Sequence, residues 1–170
     1  MHDAKPLNGG SNNSDYNMQD GWNSAMWTHV YSYIFPQIYQ SENATRDTHP
    51  ALFGITKILK VEVMHRVTDY YGPIIYRHFA NAEKHYQPDT QKEVYYEFFN
   101  ELDSAVVALI GYIEEKPESN GFARFDILLD GKYSSWVKFA NSLRLRLAMR
   151  LASIAPDKAR LEIEKIKEND

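Results

Sequence analysis

The sequence predicts an all-α protein in which long helices are joined by two long irregular loops. Three observations carry this. Apolar residues recur at three- and four-residue spacing through most of the chain from Trp22 to Ile166. Prolines at 36, 50, 73, 117 and 156 divide those periodic runs. No segment alternates apolar and polar residues long enough to read as a convincing strand; only Ile74 to Tyr76 and Asp126 to Leu129 offer short extended pieces.

Residues 1–20, MHDAKPLNGGSNNSDYNMQD, are polar and rich in Gly, Asn and Ser, so they read as a flexible lead, and residues 21–170 as the helical domain. From Trp22 to about Tyr39 aromatics are dense. Trp27, Tyr31, Ile34 and Ile38 form a helical stripe, Pro36 bends or divides it, and Trp22, Trp27, Tyr31 and Tyr33 are expected to fill core. SENATRDTH is a turn-rich connector. Pro50 suits the first position of a helix running to about Tyr71, with Leu52, Ile55, Leu59 and Val63 on one side and Phe53, Val61 and Met64 on the other. A helix apolar on both sides is packed on both. Gly72-Pro73 ends it.

Residues 72–88 make a long connection whose Ile74, Ile75, Tyr76 and Phe79 are expected to pack over helix surfaces. Thr90 and Glu93 then fit a capping box, in which hydroxyl and carboxylate each satisfy an orphan amide. Val94, Phe98, Leu102, Ala105, Leu109 and Ile113 repeat at helical spacing up to Pro117. A second irregular stretch, residues 115–131, leads to a helix from about Trp136 to Ile154 that Ser134 or Ser135 would cap. After Pro156 a short helix carries Ala159, Ile163 and Ile166 as a stripe that must meet another helix.

Composition narrows the function. The 170 residues contain no Cys, which excludes thiol nucleophiles, CxxC redox motifs, cysteine zinc sites and iron–sulfur ligation. Net charge is -4, yet residues 132–170 hold nine Lys or Arg against five Asp or Glu. That basic excess raises nucleic-acid binding as an option. The helical wheel argues against it. With Leu143 at zero, Trp136, Phe139, Ala140, Leu147 and Leu151 define a face that takes in Arg150 and borders Arg146, whereas a nucleic-acid helix turns its arginines outward. Interior guanidinium groups need acid partners, since an unpaired buried charge costs several kcal/mol. Asp69, Glu97, Glu101 and Asp103 are the candidates for structural ion pairs with Arg146 and Arg150. Leu145 and Met149 on the far side imply that this helix is sandwiched too.

No other pattern carries chemistry. His78, Glu83 and His85 match no zinc spacing and read as surface loop residues, so no metal and no cofactor is expected. His65 and Asp69, one turn apart, could pair but have no nucleophile beside them. Glu114, Glu115, Asp126 and Asp130 read as solvated loop acids, and no phosphate-loop, dinucleotide, nucleophile-elbow or zincin motif occurs. The chain is therefore expected not to be an enzyme. Tyr76 and Tyr86 in the first loop and Phe122 in the second are the aromatic rings expected to reach a ligand.

Three blocks together resemble a known family. KYSSWVKFANSLRLRLAMRLA is similar to the W-x-K-F-A-N-S-L-x-L-R-L-A-M-R signature of SusD/RagB-like nutrient-binding outer-membrane lipoproteins. VTDYYGPIIYRHF resembles the family's T-D-x-Y-G-P-I-P-Y-S stretch, with Ile75 where proline is usual, and YQPDTQKEVYYEFFNELDSAVVAL resembles the segment that follows. The resemblance implies a scaffold of tetratricopeptide-like stacked helices and a surface protein that captures a glycan, oligosaccharide or peptide. It also implies a SusC-like, TonB-dependent barrel transporter as partner and the outer membrane as location, reached only through a lipid anchor that this chain lacks. The chain would then be part of a larger domain. Asp69, Tyr71, Gly72, Pro73, Trp136, Asn141, Arg144, Arg146 and Arg150 match as scaffold positions. The rival is a helical-repeat domain that binds a protein partner and no nutrient.

Overall fold

A computed structural model describes residues 20–80, 87–117 and 121–168. They fall into two compact units, Met1–Gln37 and Ile38–Asp170. Of the expected flexible lead, residues 1–20, residues 1–19 lie outside the described residues, and Asp20 instead opens a helix.

In the first unit, α1 (Asp20–Asn23) and α2 (Ala25–His29) lead into a π-helical turn, Val30–Ile34, and then the start of α3 (Phe35–Thr45). Pro36 therefore does not end the helix. Proline lacks an amide hydrogen and its ring collides with the carbonyl four residues back, so the turn before it widens into π geometry and the helix continues. The aromatics here are not all core. Trp27 and Tyr31 stack with ring centroids 4.4 Å apart, but Trp22 is 46% and Tyr33 67% exposed.

The second unit is a stack of long helices. α3 consumes most of the segment expected as a connector, leaving only residues 46–49 between it and α4 (Pro50–Tyr71), which begins at its proline as expected. α4 packs along α5 (Gln91–Glu115), α5 against α6 (Tyr133–Leu151), and α6 against α7 (Pro156–Glu168). Ile58, Met64 and Val67 of α4, Phe98, Leu102 and Leu109 of α5, and Leu143 and Leu147 of α6 are buried. Each contributes about 1.5–3 kcal/mol by leaving water. Gly54 lets α4 and α5 approach: a Cβ there would lie 2.9 Å from the Ala105 carbonyl oxygen. The fold is all-α and tetratricopeptide-like, as expected.

α5 starts with the complete capping box. The Thr90 amide donates to Glu93 Oε2 at 2.9 Å, and the Glu93 amide donates to Thr90 Oγ1 at 3.3 Å. α6 begins three residues before its expected start and uses neither serine as a cap. The Lys132 carbonyl already accepts from the Ser135 amide at 2.9 Å, closing the first turn upstream. At the other end residues 152–154 form a turn instead of extending the helix. Leu145 and Met149 are exposed, because α5 and α7 both meet α6 on its opposite arc. Ala159 of the expected stripe is buried and Ile163 and Ile166 are half-buried.

Residues 74–77 are tied down as the bulky side chains require. Ile74 and Asp89 form an antiparallel bridge, and the Asp89 carboxylate accepts from the amides of Tyr76 and Arg77, both at 2.9 Å, and from Arg77 Nε at 2.7 Å. Burial alone would raise the Asp89 pKa, but these amides and the guanidinium outweigh it and hold the carboxyl below its ordinary value.

Candidate functional site

Of the expected ligand residues that the structure describes, Tyr76 and Phe122, only Phe122 on the second loop is partly exposed. Residues 121–131 are a series of turns, not an extended piece, and they are organised by a buried carboxylate. Asp126 accepts from the amides of Leu128 at 3.0 Å, Leu129 at 3.1 Å and Gly131 at 3.0 Å, and from the Trp136 indole at 2.7 Å. Burial raises its pKa, yet the indole and three amides together hold it below the ordinary carboxylate value. The sequence predicts a solvated loop acid at Asp126, and the structure buries it. What reverses it is donor supply: a tight loop leaves amides without helical partners, and one buried carboxylate satisfies several.

Gly131 makes the return possible. Its φ is +69°, and a Cβ would sit 2.5 Å from the Ala123 backbone nitrogen and Cα. The loop so fixed holds Phe122 and Phe125 over a groove of about 410 Å³, walled also by Pro50, Tyr112, Lys116 and Tyr133. Tyr112 and Tyr133 meet edge to face at 5.1 Å, and Lys116 Nζ lies 5.3 Å from the Tyr112 centroid. Phe122 is half-buried and Phe125 is exposed. Aromatic walls with few charges can stack on the apolar faces of rings such as pyranoses and select by shape.

Tyr76 does not belong to such a surface. It is only 2% exposed and its hydroxyl donates to Glu101, so no ligand reaches it. Burial, reinforced by the Glu101 charge, pushes that phenol well above its ordinary pKa and keeps it a donor. The reason it turns inward is a buried charge cluster waiting beneath. Lys60 Nζ bridges Glu101 at 2.5 Å and Glu42 at 3.3 Å, and Lys57 reaches Glu42 at 3.1 Å. Burial would lower the Lys60 pKa, but Glu101 and Glu42 outweigh it and raise it. Tyr86 lies outside the described residues, as do Glu83 and His85.

The arginines are rearranged too. Arg146 and Arg150 are 48% and 46% exposed in their side chains, whereas Arg144 is fully buried. Buried positions on α6 run from Leu143 round to Asn141, so the true face is rotated about 60° from the one inferred by including Phe139. Arg144 sits near the middle of it. Arg144 pairs with Asp103 at 2.6 Å and with Glu162, Arg146 with Glu62 at 3.3 Å, and Arg150 with Asp69. Glu97 accepts from Asn100 at 3.1 Å on the exposed side of α5. His65 and Asp69 do not pair: His65 Nδ1 donates to the Val61 carbonyl at 3.1 Å, and Asp69 is held by Tyr95 and Arg150. Among the described residues no group of three or more His, Asp or Glu could hold a metal ion.

Comparison with known proteins gives a coherent set of relatives. A family model described as Susd and RagB outer membrane lipoprotein matches residues 1–170. A SusD homologue from Bacteroides vulgatus is 42% identical, with TM-score 0.85, over 91% of this chain and 31% of its own. A chitin-binding SusD homologue from Flavobacterium johnsoniae is 40% identical, with TM-score 0.86, over 94% and 33%. A SusD-like protein from Bacteroides thetaiotaomicron is 27% identical, with TM-score 0.81, over 91% and 31%. The chain thus spans about a third of the length of these relatives. No curated protein matches it.

Proposed function

Because the chain belongs to the SusD-like family of outer-membrane lipoproteins, we propose that it is the helical scaffold, within a larger domain, of a surface protein that binds a nutrient without chemically altering it. The ligand is a glycan, oligosaccharide or peptide, passed to a SusC-like, TonB-dependent barrel. The observation that carries this reading is the close likeness, in sequence and fold together, to a relative described as chitin-binding.

Two features of the structure support it. The groove under the second loop offers Phe122 and Phe125 as stacking surfaces on a backbone that Asp126 holds rigid, so binding need not order the loop first. The buried acids among the described residues, moreover, are committed: Glu42 and Glu101 to lysines, Asp89 to Arg77, Asp126 to amides and Glu162 to Arg144. Hydrolysis of a glycosidic bond asks for two carboxyl groups at a set separation with one kept protonated. Membrane attachment is through the lipid that the family description names; no helix among the described residues is long and apolar enough to cross a membrane.

Calorimetry of the purified protein against chito-oligosaccharides, other neutral oligosaccharides and peptides tests the proposal, with the ligand recovered afterwards for mass spectrometry. Saturable binding of an intact ligand is expected. Cleaved ligand, or no binding to any of them, refutes it.

A further inference from the structure

A second groove, about 530 Å³ in volume, opens where the C-terminal ends of α4 and α6 meet the start of α5. Asp69, Lys92, Tyr95 and Arg150 supply its polar lining, and Leu151 and Ile154 an apolar wall. Ile154 is 78% exposed, so its side chain is open on the groove side.

The charges in this groove do not cancel. Asp69 is its one lining carboxylate, and both oxygens are engaged: Tyr95 donates its hydroxyl to Oδ1 at 2.5 Å, and the Arg150 guanidinium meets Oδ2. Burial pushes the Tyr95 phenol up to about 12, so it stays a protonated donor to Asp69. A guanidinium has five N–H donors and a single carboxylate takes about two of them, which leaves half-exposed Arg150 with donors facing the groove. Lys92 lies 5.6 Å from the Tyr96 ring centroid and has no ion pair among the described residues. The result is surplus positive charge beside a hydrocarbon wall, with no second acid lining the groove among the described residues.

Resting on the nutrient-binding reading above, we propose that this groove takes an organic carboxylate, its anion on Lys92 and Arg150 and its carbon skeleton against Leu151 and Ile154. Two nutrient types present that chemistry, a uronic-acid sugar and the C-terminal residue of a peptide. Their neutral counterparts, an esterified sugar and an amidated peptide, differ by the charge alone.

The test is calorimetry of the purified protein with trigalacturonate, its methyl ester, a tripeptide ending in leucine, and that peptide's amide. At least one acid is expected to bind, and which one names the source. Its neutral counterpart should bind about tenfold more weakly, since a hydrogen bond to a charged group is lost. Lys92→Gln should weaken the acid about tenfold and leave the melting curve and any neutral-glycan binding nearly unchanged, because Lys92 is exposed, makes no ion pair among the described residues, and its contact with the Tyr96 ring is an exposed, weak one. Equal binding of acid and neutral forms, no binding of either acid at millimolar concentration, or an unaltered affinity in Lys92→Gln overturns the proposal. Those results leave neutral-glycan binding standing. Loss of neutral-glycan binding with acid binding intact removes the glycan reading instead.

Discussion

Arg144 on α6 and Glu162 on α7 are both fully buried and bonded to each other, so the last helix is fastened to the scaffold by a charge pair inside the protein. Asp103 on α5 takes the other end of the guanidinium at 2.6 Å, and Lys158 and Lys165 complete the network at 2.5 Å to Glu162 and 2.6 Å to Asp103. One arginine therefore joins three helices.

Replacing Arg144 with Met takes the shared guanidinium from buried Glu162 and from Asp103; Lys158 and Lys165 stay within ion-pair reach of Glu162, so the loss should be about 3 kcal/mol, the lower end for breaking a buried pair. The same change at half-exposed Arg146, whose partner Glu62 is 3.3 Å away, should cost less than about 1 kcal/mol. Urea denaturation of the two variants measures both, and the reverse order would contradict the burial pattern.

Asp126→Ala strands three amides and the Trp136 indole without their acceptor. At about 1 kcal/mol per lost bond, or more where water cannot enter, the loss should reach about 3–4 kcal/mol. Hydrogen exchange at Leu128, Leu129 and Gly131 should accelerate together. Gly131→Ala should destabilise as well, because the added Cβ meets Ala123 backbone at 2.5 Å and the backbone is left-handed there.

Tyr76→Phe and Phe122→Ala separate scaffold from ligand surface. The first keeps the buried ring and removes the hydroxyl bound to Glu101; it should cost about 1–2 kcal/mol of stability and leave ligand affinity unchanged. The second should spare most of the stability and weaken a ring-bearing ligand up to about tenfold. Paired melts and calorimetric titrations distinguish the two roles.

His65 makes stability depend on mild acid. Burial lowers its pKa below the ordinary 6.5, partly opposed by the bond to the Val61 carbonyl. The unfolded chain therefore takes up the proton first. Stability is full above pH 6.5 and declines as pH falls below that value, towards the lower folded pKa. Melting temperatures between pH 7.5 and 5 should show the fall, and His65→Gln should flatten it.

Helix positions were largely legible because they follow from local signals. Pro50 and Tyr71 bound α4 as read, and the Thr90–Glu93 box opens α5. Where local signals were weak the reading slipped. The segment after Ser41 has poor helix formers but extends α3, since Glu42 finds Lys57 and Lys60 on the neighbouring helix and Ser41 bonds Thr56 at 3.1 Å. Tyr76 in a long loop looked available; a carboxylate 25 residues away decided otherwise. Phe122 was visible as an aromatic in a loop, but the groove it overlooks draws its other walls from Pro50, Tyr112 and Tyr133, and nothing local announces that meeting.

The sequence by itself determined which segments are helical, where most of them start and stop, and which family the chain resembles, because backbone hydrogen bonding, proline geometry and caps act within a few residues. Only the tertiary structure decided that Arg144, and neither Arg146 nor Arg150, is the buried arginine, that Asp126 is a loop's acceptor, and that Lys92 and Arg150 share a groove. Helical periodicity sets the angle between side chains on one helix. It leaves free the rotation of that helix against its neighbours, which packing fixes through contacts far apart in the chain.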